Sequence, residues 1–279
     1  MQLTHYHLRE KPTDDVTLSF LNQDGKEIKT FRSKPDDGTV EKMKDGATEE
    51  KTAPKEVGLN RFVWNMRYPD ARNFQGAIYR SSGVTGPLAP PGTYQVRLTV
   101  GDQSSVRSFE IRKDPRIEAS DAELRTQFAL LLQIRDKLSE TNDAIVQIRT
   151  LRSEIGAWEG RAKQQSEDSP LVEAAKALRE GLTSVEEELV QTRWKSSRDA
   201  LTAPSKLNVK LATLLGVVGG ADAAPTTQSQ AVFASVSERL DRHMERLDTM
   251  LGRDVPRFNT LVREQDLPAL TVVEGGGAR

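Results

Sequence analysis

Pro90-Pro91-Gly92-Thr93-Tyr94-Gln95-Val96-Arg97-Leu98-Thr99-Val100 runs into Gly101-Asp102, returns as Val106 to Arg112, meets Asp114-Pro115, and gives way at Ser120 to a different pattern. The first part is a β-type run that closes a hairpin, because a Gly-containing pair between apolar runs accepts the tight-turn backbone. The part after Ser120 has apolar residues at steps of three and four, which marks one face of a helix. The chain therefore divides near residue 115 into a strand-rich half and an all-helical half.

Working back from the join, Leu3 to Leu8 and Val16 to Leu21 read as strands, and Asn22-Gln23-Asp24-Gly25 as a turn into Glu27 to Phe31. Ser33 to Glu56 is rich in Lys, Asp, Glu, Gly and Thr without apolar periodicity, and its composition predicts a long disordered loop near 33–56. Phe62, Trp64, Met66 and Tyr68 alternate with Val63, Asn65 and Arg67, which predicts one strand carrying four large side chains on one face. Trp64 is expected in the core rather than as a sugar-stacking platform. Asp70 to Pro91, Gly- and Ser-rich with Phe74 and Tyr79, reads first as an ordinary irregular connection; it is also this half's best candidate for a segment that faces a ligand or partner.

Working forward, Ser120-Asp121-Ala122-Glu123 fits a capping box. The stripe of Leu124, Phe128, Leu131, Ile134, Leu138, Ile145, Ile148, Leu151 and Ile155 predicts a long helix, broken by Ser166 to Pro170. A second helix carries Val172, Ala175, Leu178, Leu182, Val185 and Leu189. A shorter third helix begins after Pro204 and stops at Gly219-Gly220. The last long helix opens at Pro225, points Val232, Val236, Leu240, Leu247 and Leu251 inward, and is ended or kinked by Pro256. The number of helices and their short connections favour an antiparallel bundle of about four helices with its own core over a coiled-coil rod. The expected organisation is thus an antiparallel β-sandwich of immunoglobulin type over 1–115, a helical bundle over 116–270 and a flexible tail over 271–279.

The bulk composition restricts function. With 279 residues the chain is long enough for two modest cores. Its 40 basic and 41 acidic residues nearly cancel, which supplies no basic excess for a nucleic-acid backbone or an anionic membrane. Cysteine is absent, so disulfides, thiolate metal sites and a cysteine nucleophile are excluded. No apolar stretch approaches the ~20 residues that span a bilayer, and Met1 to Leu8 has neither the basic nor the apolar region of a signal peptide.

The chemical inventory is sparse. His5 and His7 share a strand face without a third ligand, and His243 has no catalytic partner in sequence. No Gly-x-Ser-x-Gly elbow, phosphate loop or His-Glu-x-x-His occurs. Paired carboxylates remain open, since distant acids can meet in a fold, but Glu186-Glu187-Glu188 is expected on a solvent face. No catalytic, cofactor-binding or metal-ligating residue is assigned.

Gly58-Leu59-Asn60-Arg61-Phe62-Val63-Trp64-Asn65-Met66-Arg67-Tyr68-Pro69 and Pro90 to Leu98 resemble one family, together with Lys113-Asp114-Pro115-Arg116 and Gln133 to Glu140. The chain is similar to the C-terminal region of bacterial proteins with sortilin-like, BNR-type (Asp-box) β-propellers, often labelled glycosyl hydrolases. The resemblance implies an immunoglobulin-like sandwich and a helical bundle that follow an exported propeller, hence an extracytoplasmic location and a propeller domain or protein as partner. No Asp-box string (Ser-x-Asp-x-Gly-x-x-Trp) occurs in this sequence. Hydrolase activity implied by the label belongs to the propeller, so no catalytic residue is carried over. A strand pattern opening at Leu3 leads to the expectation of a truncated or split gene, or a misplaced start codon. The leading reading is a non-catalytic accessory or protein-interaction module. The alternatives are a fragment or subunit of a glycosyl hydrolase, and a carbohydrate-binding sandwich using Trp64, Tyr68, Phe74 or Tyr79.

Overall fold

A computed structural model of the chain describes residues 1–34, 51–79 and 83–265. The strands are β1 (Gln2–Leu8), β2 (Val16–Leu21), β3 (Glu27–Arg32), β4 (Gly58–Trp64), β5 (Gly92–Val100) and β6 (Gln103–Ile111). The helices are α1 (Asp121–Gln165), α2 (Pro170–Leu189), α3 (Leu207–Val218), α4 (Thr227–Thr249) and α5 (Val255–Glu264). The architecture is mixed: two antiparallel sheets, then helices. It divides into two compact units, one of Met1–Ala77, Ser82–Asp136 and Ala212–Ala231, the other of Ile78–Ser81, Lys137–Leu211 and Val232–Arg279. Strands give way to helices at the expected place, whereas the two compact units divide within α1, α3 and α4.

In the first unit β1 pairs with β4, and the second sheet has the order β3-β2-β5-β6. The Asp24-Gly25 turn closes β2 onto β3 with Gly25 at φ 76, and Gly101, at φ 53, closes β5 onto β6. Side chains of both sheets share one apolar cluster, including Tyr6, Phe62 and Trp64 from the first sheet and Val16, Leu18, Phe20 and Tyr94 from the second. At its centre the Trp64 ring, fully buried, stacks on Phe20 at 4.5 Å between centroids. Burying a side chain of this size contributes roughly 1.5–3 kcal/mol. The expectation for Trp64 holds. The expectation of one continuous strand to Tyr68 does not: β4 ends at Trp64, and Met66 takes a left-handed backbone, φ 58.

Of the loop expected near 33–56, residues 35–50 lie outside the described residues. Its ends are held. Ser33 donates its amide to the Val16 carbonyl at 2.8 Å and accepts from the Val16 amide at 3.1 Å. Ala53 donates to the Arg32 carbonyl at 2.9 Å and sits in the core, 2% exposed. A single small apolar residue gives no periodicity, so composition alone hid this anchor. The tail expected over 271–279 lies outside the described residues.

Helix α1 starts with the expected capping box: the Glu123 amide donates to Ser120 Oγ at 3.2 Å, and Glu123 Oε2 accepts from the Ser120 amide at 2.7 Å. In the second unit the rest of α1 runs antiparallel to α2, as its ion pairs show. Glu186 on α2 takes Arg149 at 2.7 Å and also Arg152, while Arg179 on α2 reaches back to Glu159 on α1 at 2.5 Å. Glu186 is therefore not on a solvent face as expected; it is 2% exposed, whereas Glu187 is exposed. Two guanidinium groups supply the charge and donors that a desolvated carboxylate requires.

The last helical stretch also departs from its pattern. Of the two outcomes open at Pro256, an end or a kink, the helix does not end: before the proline the α-helix gives way to a π turn, Met250–Asp254, in which the Val255 amide donates to the Met250 carbonyl. Proline lacks an amide hydrogen and crowds the preceding turn, and one wider turn accommodates both defects. Met250 is consequently buried while Leu251 is only partly so, and Val232, expected inward, is 47% exposed.

Replacing Glu186 with Gln leaves two arginines facing a neutral amide. The expected loss is about 1–3 kcal/mol in urea unfolding, against less than about 0.5 kcal/mol for Glu187→Gln. A second expectation concerns acid. Lys163, and then Arg179, hold the Glu159 carboxyl below its ordinary range against the opposing effect of burial. A lowered folded pKa gives stability that is complete above the unfolded value, about 4.3, and is lost as pH falls through the folded value. Urea midpoints measured from neutral pH into that acid range should fall less steeply for Glu159→Gln than for the parent chain.

Candidate functional site

Between β4 and β5, residues 65–71 and 84–91 form two legs folded back on each other, joined by one isolated bridge at Arg67 and Leu88 and by further backbone bonds. The Ala89 amide donates to the Met66 carbonyl at 2.7 Å, Tyr68 to Pro87 at 2.9 Å and Ala71 to Val84 at 2.8 Å. Asn65 Oδ1 accepts from the Arg67 amide at 3.1 Å, which bends the chain through the left-handed Met66. A side chain in that conformation costs roughly 1–2 kcal/mol, and these bonds hold it in place.

Gly86 is the tightest point. A Cβ there would lie 2.2 Å from the Tyr68 carbonyl oxygen and 2.3 Å from that of Pro69. Its amide donates to Asp70 Oδ1 at 2.8 Å, and its carbonyl accepts from Arg67 Nη1 at 2.8 Å. The legs thus close because one residue has no side chain and two charged neighbours satisfy its backbone.

Within the same unit, this pair of legs forms one wall of a groove of about 500 Å³. Pro87, Leu88 and Pro90 line it from the legs, Leu124, Phe128 and Leu131 from α1, and Leu215 from α3. Leu88 is 45% exposed. Beside the groove the Tyr68 ring meets Phe128 edge-on at 4.7 Å. Gln127, buried on the helical wall, donates to the carbonyls of Val218 (2.7 Å) and Ala221, and so satisfies acceptors at the end of α3.

Most of the charged groups on the wall are spent on their own chain. Lys113 Nζ donates to the Ala119 carbonyl at 2.7 Å, and Arg112 pairs with Glu110 at 2.8 Å. Asp114 pairs with Arg116 at 2.6 Å, which holds its carboxyl below the usual carboxylate range. These arrangements fix backbone and leave a concave apolar surface with prolines. Such a surface suits recognition of another chain.

The two residues expected to face a ligand are placed differently. Phe74 is buried, 8% exposed, so its ring is not open to a ligand. Tyr79 belongs to the second unit, where its hydroxyl and Asn142 Oδ1 are 3.1 Å apart. Burial pushes that hydroxyl up to about 12, against the opposing effect of Asn142 and Asn208. Neither residue lines the groove. His5 and His7 lie exposed on one face of β1, opposite Arg61 and Leu59 of β4. His243 is partly buried, which pulls its pKa below the ordinary value. Among the described residues no group of three or more His, Asp or Glu could hold a metal ion, and no helix is long and apolar enough to cross a membrane.

Sequence reasoning missed Met66, Gly86 and Gln127 as builders of this wall. Gln127 had a legible signal: it stands three residues after Leu124 and four before Leu131, a polar residue on an apolar face.

Gly86→Ala forces a methyl group against two carbonyl oxygens. It should destabilise the chain by about 1–3 kcal/mol, read as a lowered thermal midpoint, whereas Gly83→Ala, 3.3 Å from the Thr85 hydroxyl, should cost less. Scans against protein-family models, the curated proteins and the solved structures find no match for this chain.

Proposed function

We propose that the chain is a non-catalytic accessory module that recognises a protein partner, of the kind found at the C-terminal end of sortilin-like, BNR-type propeller proteins. The partner is a β-propeller domain or protein, in an extracytoplasmic location, and the contact is made by the groove between the 66–91 legs and the helical wall. The observation that carries this reading is the groove itself. It is apolar, rigidly backed, and walled by charged groups largely engaged in supporting the backbone.

The same reading assigns the finer architecture. The strand-rich part is an immunoglobulin-like sandwich, and 116–270 an antiparallel bundle of about four helices. Support for the first comes from the shared core of the two sheets and from Tyr94, whose hydroxyl donates back to the Pro90 carbonyl at 2.8 Å, in the manner of a tyrosine corner. Support for the second comes from the descending numbering of the α1–α2 ion pairs.

A photo-crosslinking residue in place of Leu88, expressed in the source organism, tests the proposal, with the same residue in place of Glu187 as control. The expected adduct at Leu88 contains peptides of a propeller protein, and the control yields none. Adducts of equal composition at the two positions, no propeller peptides at Leu88, or turnover of a glycoside by the purified chain would overturn it.

A further inference from the structure

We propose that a second groove, in the second unit between α2 and the α4–α5 stretch, is a docking site for an acidic amphipathic helix of a partner protein. The groove has a volume of about 700 Å³ and runs along two helices. Its α2 side includes three small residues, Ala174, Ala177 and Gly181, beside Leu178, and its other side carries Met250 and Phe258. The approach at Gly181 is close: a Cβ there would lie 3.0 Å from Met250 Sδ. Two neighbouring helix ridges with small side chains between them leave a channel that a third helix fills by ordinary ridge-into-groove packing.

The rim charges select the occupant. Arg253 is spent on Asp254 at 2.8 Å, and their contact holds the Asp254 carboxyl below its usual range. Arg246 and Arg257, also on the lining, are exposed and make no hydrogen bond or ion pair among the described residues. The opposing Glu173 sits in the first turn of α2, where the helix N-terminus favours a negative charge. The two guanidinium groups flank the π turn, eleven positions apart and roughly 16 Å along the axis at about 1.5 Å per residue; both line the groove, and Arg257 also acts on the Asp254 carboxylate through space. A partner helix with carboxylates at the same spacing meets both while its apolar face covers the floor. The π turn between the two arginines, Met250–Asp254, forms part of the groove, and such turns recur at functional positions.

The probe is a fluorescent peptide of about 20 residues, long enough to form a helix, with a Leu/Ala face and Glu at positions i and i+11. A counterpart carries Lys in place of both Glu residues. Fluorescence anisotropy should show saturable binding of the Glu peptide that weakens as salt is raised, and none of the Lys peptide. The double variant Arg246→Glu/Arg257→Glu should weaken the Glu peptide by roughly tenfold or more and bind the Lys peptide instead. Ala177→Arg, at an exposed position on the groove floor, should abolish binding while leaving the helical circular dichroism unchanged. Binding of neither peptide, equal binding of both, or an unchanged affinity in either variant overturns the proposal. The groove of the first unit is untouched by these substitutions, so their failure leaves the propeller reading standing.

Discussion

One helix sets the terms for the rest of the molecule. At 45 residues without a break, α1 carries buried, mainly apolar residues from Leu124 to Ala162, and that face must be covered, since an exposed apolar run invites association. The chain covers it with different elements at different heights. Over its first turns, within the first unit, Phe128 takes the edge of Tyr68, and Leu131 lies 3.6 Å from where a Gly219 side chain would begin. Over its later turns, within the second unit, α2 lies antiparallel and pins it through Glu186 and Glu159. The helix thereby belongs to both compact units, and the position where strands end in sequence is not where the compact units divide.

The ion pairs that flank the α1–α2 seam are placed by the same geometry. Glu186 follows Leu182 by four residues, Arg149 follows Ile145 and Arg152 follows Ile148 by four, Glu159 follows Ile155 by four, and Arg179 follows Ala175 by four. Each charged residue sits beside the apolar stripe, where the long stem of Arg packs along it and the head reaches across. Burial of the carboxylates makes partner loss costly, whereas the arginines, 32–42% exposed in their side chains, keep contact with water. The pairs therefore make loss of one partner costly without implying a large net gain over an apolar seam.

The elements legible in the sequence were those in which local and tertiary preferences agree. The Ser120–Glu123 cap, the Asp24-Gly25 and Gly101-Asp102 turns and the apolar stripe of α2 each have a local cause that the fold leaves in place. The misreadings share another origin. Met66 continues a period-2 pattern, yet the backbone turns left-handed there because Asn65 and Ala89 bind either side of it. Val232 fits the apolar stripe of α4 by spacing, yet it is 47% exposed. Glu186 belongs to a run of three acids that reads as solvated, and only its offset from Leu182 distinguishes the buried one. The groove of the first unit was illegible for a different reason: its walls come from positions as far apart as Arg67 and Leu215, and no spacing in a single sequence joins them.

The two grooves use polar groups in opposite ways, and the difference bears on what each can recognise. In the first unit Arg67, Lys113 and Asp114 are committed to backbone or to a neighbour, so a partner would meet mainly shape and apolar area, with the exposed Arg112 and Asp222 as the remaining charges on the lining. In the second, Arg246 and Arg257 remain hydrated at the rim. An exposed guanidinium contributes at most about 1 kcal/mol to a surface pair while water competes for it. Its worth rises when an apolar floor brings a partner close enough to exclude that water, because the same charges then penalise a partner of the wrong sign. Affinity in the second groove would therefore come from the small-residue floor around Ala177 and Gly181, and choice of partner from the two arginines above it.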